Sequence, residues 1–235
     1  MTDFFKVYGL PRTGTNFTRV MISDNFEITH IRFFGYKHAA PFYQIDWTGK
    51  DWDRPFGEER PHRVAKAEEI REEVEEAVRN DRFFFVMTVK NPYAWYVSNL
   101  NSLVDSRLRI MSNWMNWYNE RNWEYIHYLE SKPSVSYIIR YEDYYNNIES
   151  AVSQIGDKFG LVRMSSVFKI IDEVVGPKML LTPPPDKNGI YYHNWEWYQN
   201  RSYLKLLDKR CISHISNNVD KDIMKFFKYE VLNEM

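Results

Sequence analysis

The chain has 235 residues, 44% hydrophobic and 27% charged, with a net charge of −1. This is the make-up of an ordinary globular protein with one sizeable core, and it gives no global attraction to nucleic acid or acidic membrane. Cys211 is the only cysteine, so an internal disulfide and a cysteine-based metal site are excluded, and no apolar run reaches the ~18–20 residues of a membrane span. One domain over residues 1–235 is expected, with no signal-length apolar segment near the start and a reducing, cytoplasmic setting.

In chain order, residues 4–10 (FFKVYGL) read as a short strand buried on both faces. Gly9 and Gly14 then bound a tight loop. A helix follows over 15–25, with apolar spacing at Phe17, Val20 and Met21. Residues 26–34 suggest a second strand interrupted by charge. Residues 35–62 hold Gly, Pro, Trp, Asp and His without a period, long for a plain connection and a natural place for substrate contact. A charged helix is expected over 63–79, with Val64, Ala67, Ile70, Val74 and Val78 on one stripe. FFFVMTV at 83–89 is the best central strand, and Pro92 opens the next helix. An aromatic-rich helix is expected over 111–129, a strand over 135–140, and a helix over 148–159 ending at Gly160. Pro183–Gly189 is a loop, and helical segments fill 194–228. Strands alternating with helices predict a three-layer α/β/α fold with a central, mainly parallel sheet and a helical C-terminal region.

Ligands in such folds bind beyond the C-terminal ends of the strands, which here carry three loops. The first, Gly9–Asn16, joins a strand to a helix and aims backbone N–H groups and a helix N-terminus at one spot, as an anion site requires. Its GxxxxG spacing is that of a nucleotide-phosphate loop, but Thr15-Asn16 stands where Lys-Ser/Thr would follow, and Arg12 sits inside the loop. The second carries Lys90 at the strand end and Ser98 about two turns into the next helix. A cation and a hydroxyl so placed can grip a phosphate, although a lone lysine and serine more often only cap and solvate. The third, Arg140-Tyr141-Glu142-Asp143, reads as a helix start, with Asp143 or Asn147 capping free N–H groups, rather than as a metal-binding acidic pair. Lys37-His38 in the 35–62 loop offers a histidine base beside a positive charge. His30, His62 and His193 compete for that role.

Taken together, PRTGT after a strand, the Lys90-Asn91-Pro92 segment with Ser98, and RYEDY before a helix resemble the sulfotransferases that use 3′-phosphoadenosine 5′-phosphosulfate (PAPS). The resemblance covers roughly residues 4–160 and implies that Arg12, Thr13, Gly14, Thr15 and Asn16 hold the 5′-phosphosulfate, with Arg12 in place of the loop's catalytic cation. It also implies that Lys90 and Ser98 hold the 3′-phosphate. Lys37-His38 with Pro41 is similar to the Lys-x-His-x-x-Pro neighbourhood of the family's base, without the intervening residue. Lys187-Asn188-Gly189 resembles a reduced form of the family's glycine-containing 3′-phosphate loop. The implied reaction moves the sulfuryl group of PAPS, as cosubstrate, to a hydroxyl of a small-molecule or carbohydrate acceptor, with His38 as base and no metal.

Two other functions compete. A P-loop kinase or NTPase using ATP and Mg²⁺ shares the strand–loop–helix, but lacks the lysine and Mg²⁺-binding hydroxyl after Gly14 and an aspartate at the end of FFFVMTV. A non-enzymatic carbohydrate-binding protein is suggested by Trp114, Trp117, Trp123, Trp195 and Trp197, though aromatic stripes at helical spacing more often belong to a core. Trp47, Trp52 and Tyr43 are candidates to stack on the acceptor. Oligomeric state leaves no trace in the sequence.

Overall fold

The computed structural model describes residues 3–31, 37–38, 41, 70–100, 114–170, 173–174, 191–192 and 195–232. Four parallel strands form one sheet: β1 (Phe4–Gly9), β2 (Thr29–His30), β3 (Phe83–Val89) and β4 (Ser136–Arg140), in the order β2-β1-β3-β4. Every residue of β1 and β3 is buried, Lys6 and Thr88 included, as in strands covered on both faces. The two strands pair residue for residue from Phe4 against Phe83 to Gly9 against Thr88.

Helices α1 (Thr15–Asn25), α2 (Arg71–Arg79), α3 (Pro92–Leu100) and α4 (Trp114–Ser131) precede β4 in the chain. After it come α5 (Asp143–Asn146), α6 (Ile148–Phe159), α7 (Trp195–Gln199), a 3-10 turn at Ser202–Leu206, α8 (Lys209–Asn218) and α9 (Lys221–Phe226). A two-residue antiparallel pair, β5 (Glu173–Val174) with β6 (Tyr191–Tyr192), lies outside the main sheet. Neighbouring strand residues point to opposite faces, and this fixes the layering. Phe84 stacks on Phe159 of α6 at 4.3 Å, whereas Phe85 meets Tyr128 of α4 at 5.2 Å. Helices therefore cover both faces of a parallel sheet, the expected three-layer α/β arrangement.

Two expectations change in detail. Of the strand anticipated over 26–34, Thr29 and His30 pair in the sheet, and residues 32–34 lie outside the described residues. Phe26 instead bridges Arg163, and the Glu27 N–H donates to the Val162 carbonyl at 2.9 Å, so this stretch is tied to the segment after α6. Of the anticipated 63–79 helix, Arg71–Arg79 is helical and residues 63–69 lie outside the described residues. The helix ending at Gly160 keeps its predicted bounds, with Gly160 left-handed at φ 64°.

The chain passes from β1 to β2 on one side and to β3 on the other. The C-terminal ends of β1 and β3 thus flank the switch point where open α/β sheets bind ligands. Among the described residues no helix is long and apolar enough to cross a membrane.

Candidate functional site

The loop leaving β1 is held open by its own backbone. Arg12 and Gly14 both have positive φ, 70° and 92°, a conformation that costs a non-glycine residue on the order of 1–3 kcal/mol. Gly9 must lack a side chain because a Cβ there would collide with the hydroxyls of Thr13 and Thr88. Those hydroxyls stitch the turn to β3. Thr13 Oγ1 donates to the Leu10 carbonyl at 2.7 Å and lies 2.8 Å from Thr88 Oγ1, while Thr88 Oγ1 lies 3.2 Å from the Tyr8 carbonyl. Trp95 Nε1 donates to the Pro11 carbonyl at 2.9 Å and so ties the loop to α3. At the other end, α1 starts at Gly14 with no side-chain cap and no acid in its first turn. Its positive dipole end therefore faces the loop without an internal anion.

Across the crevice, Lys90 is only 2% exposed. Its Nζ donates to Ser98 Oγ and Tyr198 Oη, each at 2.9 Å, and reaches the Arg12 carbonyl at 3.5 Å. It also lies 4.3 Å from the ring centroids of both Tyr141 and Tyr198, a cation–π clamp. The anticipated partners Lys90 and Ser98 are thus in direct contact, and both face the loop that carries Arg12. Tyr198, on α7, is a member of this cluster that the sequence reading did not single out. Burial pushes its phenol up, but the charge of Lys90 and the hydrogen bonds from Lys90 and Ser98, with Arg12 nearby, outweigh that and bring it below the usual tyrosine range. A phenol so treated marks a place where negative charge is welcome. Arg12 itself is pushed down by burial, against the opposing pull of Tyr198 and Tyr141.

Lys37 and His38 approach the loop from the β2 side. The Gly9 N–H donates to the Lys37 carbonyl at 2.9 Å, and Lys37 Nζ donates to Asn16 Oδ1 at 3.1 Å. His38 Nδ1 lies 2.5 Å from the Gly9 carbonyl. A carbonyl only accepts, so Nδ1 carries the proton and Nε2 the lone pair. Burial is the main cause that lowers His38 from 6.5 to about 4. The Gly9 hydrogen bond opposes it, and the charges of Lys37, Lys6 and Arg121 add to it. His38 is therefore a neutral imidazole at pH 7 with its accepting nitrogen fixed.

The RYEDY segment braces the crevice. Glu142 accepts from the Asn91 N–H at 2.9 Å and from Tyr229 Oη at 2.7 Å, which fixes the loop after β3. Asn147 caps α6 by accepting from the Ser150 N–H at 2.8 Å. Asp143 instead accepts from Arg140, through Nε at 3.0 Å and the backbone N–H at 3.1 Å. Of the other anticipated residues, His62, His193, Trp47, Trp52, Tyr43 and Lys187–Gly189 lie outside the described residues.

No protein-family model matches the chain, and no curated protein does. Among solved structures, the chain is similar to one described as the sulfotransferase domain from the curacin biosynthetic pathway. The match has 11% identity and a TM-score of 0.43, and it spans 98% of this chain and 99% of that one. A likeness of that degree settles neither the family nor the activity.

Gly14 gives a direct check of the loop geometry. Its φ of 92° disfavours any side chain, and a Cβ would sit 2.6 Å from the Tyr141 ring. Gly14→Ala is expected to lower stability by about 2–3 kcal/mol in urea unfolding. A change within the roughly ±0.5 kcal/mol of an ordinary surface substitution would contradict this backbone.

Proposed function

We propose that the chain transfers the sulfuryl group from PAPS to a hydroxyl of a small-molecule or carbohydrate acceptor. The observation that carries this reading is the buried Lys90, in contact with Ser98 and 3.5 Å from the carbonyl of Arg12. It supports a second anion-binding point beside a strand–loop–helix that suits one anion. A donor with phosphates at both its 3′ and 5′ positions needs both points, whereas a nucleoside triphosphate has no use for the second.

In this reading the loop N–H groups of residues 13–16 and the α1 dipole hold the 5′-phosphosulfate, while Lys90, Ser98 and Tyr198 hold the 3′-phosphate. His38 Nε2 takes the proton of the acceptor hydroxyl as its oxygen bonds to sulfur. The bond from sulfur to the bridging oxygen breaks in line, and its electron pair leaves on the nucleotide's 5′-phosphate. Arg12, in the loop, neutralises that growing charge, and loss of one such donor typically costs about 10²–10³ in turnover. Lys37, hydrogen-bonded to Asn16, adds positive charge between base and loop. The work is positioning and charge stabilisation, as in phosphoryl transfer, and protein cations supply it.

Thermal shift in the presence of EDTA tests the donor. Adenosine 3′,5′-bisphosphate should stabilise the wild type, and Lys90→Ala should abolish most of that gain. Stabilisation by ATP–Mg²⁺ alone points to a kinase, and stabilisation by sugars alone to a carbohydrate-binding protein. Either result overturns the proposal.

The base is tested by pH. A histidine lowered to about 4 stays deprotonated across the neutral range and gains its proton only as the pH falls through that value. The acidic limb of kcat/KM is therefore expected below pH 5, and it should disappear with the activity in His38→Ala. A limb at the ordinary histidine value near 6.5, or near wild-type turnover in His38→Ala, would show that another group is the base.

A further inference from the structure

After α9 the chain turns back towards the crevice. Lys228 is left-handed at φ 56°, and the Tyr229 N–H donates to the Met224 carbonyl at 2.8 Å, which closes the helix and sends Tyr229 inward. Residues 227–232 then touch, one after another, the elements that carry Lys90, Ser98 and Tyr198. The Phe227 carbonyl accepts from Arg140 Nη1 at 2.9 Å, next to Tyr141, whose ring covers Lys90. Tyr229 Oη donates to Glu142 Oε2 at 2.7 Å, and Glu142 Oε1 accepts at 2.9 Å from the N–H of Asn91, the residue after Lys90. Glu230 pairs with Arg201 at 2.9 Å, just past the helix that bears Tyr198. The Leu232 N–H donates at 2.9 Å to Tyr93 Oη, in the first turn of the helix that bears Ser98. Ser216 of α8 closes that end, lying 2.8 Å from Tyr93 Oη and donating to the Leu232 carbonyl at 2.7 Å.

We infer that this segment sets the geometry of the second phosphate site, with Tyr229 as a positioning residue that acts through Glu142 and Asn91. The assignment of that site to a 3′-phosphate rests on the sulfuryl-transfer reading. Glu142 bridges the loop after β3 and a segment far along the chain, and its two oxygens accept short, charge-assisted hydrogen bonds that fix the spacing between them. Asn91 passes the constraint on. Its Oδ1 accepts from the Tyr93 N–H at 3.1 Å, which starts α3 and sets where Ser98 comes to lie. Burial pushes the Glu142 carboxyl up, whereas Tyr229, the Asn91 N–H and the charge of Lys90 pull it down. The carboxylate is therefore tied both to the segment and to the ammonium beside it. The Arg201–Glu230 pair is exposed on both sides and contributes little. The hydroxyls of Tyr229 and Tyr93 carry the constraint, one at each end of the segment.

Calorimetric affinities of adenosine 3′,5′-bisphosphate and adenosine 5′-monophosphate for the full chain and for Tyr229→Phe test the inference. The wild type is expected to prefer the bisphosphate. Tyr229→Phe keeps the ring and removes only the hydroxyl. It should weaken bisphosphate binding roughly tenfold, the equivalent of one charge-assisted hydrogen bond, and leave monophosphate binding unchanged. A residue that only held the fold together would lower the unfolding midpoint without moving the ratio of the two affinities. Should Tyr229→Phe fail to fold, Tyr93→Phe, which loosens the other end of the segment, takes its place and should lower the same ratio. A wild-type ratio kept in the variant, or an equal loss for both nucleotides, overturns the inference while the donor reading stands. Equal affinities of the wild type for the two nucleotides overturn the donor reading and the inference with it.

Discussion

An ammonium group buried at the end of a central strand is costly unless its charge is answered on every side. Lys90 is such a group, and the crevice is built around it. Ser98 answers it from one turn of α3 and Tyr198 from α7, while the rings of Tyr141 and Tyr198 cover it and the Arg12 carbonyl closes the approach. Its own carbonyl accepts from Tyr118 Oη at 2.8 Å, which holds the strand end against α4. Four separate elements thus converge on one side chain. The buried carboxylate of Glu142 acts on the charge from nearby without a direct hydrogen bond to it. Hydroxyls, a carbonyl and ring faces solvate the charge where it is buried.

The same logic extends to the loop. Arg12 adopts a left-handed backbone that most residues avoid, and the hydrogen bonds of Thr13, Thr88 and Trp95 hold the turn on both flanks. The turn is therefore prepared in advance, and donor groups that need no rearrangement stabilise growing charge best. His38 is prepared in a different way. Its contact with the Gly9 carbonyl sets the tautomer, and its burial among cations keeps it neutral.

Much of this was legible in the sequence because the signals were local. The mainly apolar runs of β1 and β3, the glycine-bounded turn, Pro92 at a helix start and Gly160 at a helix end each act within a few residues. The contact between Lys90 and Ser98 was legible because a strand end and two helical turns fix their separation. Tyr198 was not legible. It reaches Lys90 across 108 residues of chain, and no local pattern distinguishes it from Tyr203 or Trp197 nearby. At the start of the anticipated 26–34 strand, the segment after α6 competes for Phe26 and Glu27. Asp143 was weighed as a cap, and its carboxylate is taken instead by Arg140.

The central claim is that Lys90, Ser98 and Tyr198 form a second phosphate site alongside the loop. It is tested most directly by comparing the affinities of adenosine 3′,5′-bisphosphate and adenosine 5′-monophosphate without metal. Two or more charge-assisted hydrogen bonds to the 3′-phosphate should make the bisphosphate bind roughly 100-fold more tightly. Equal affinities for the two nucleotides would contradict the account.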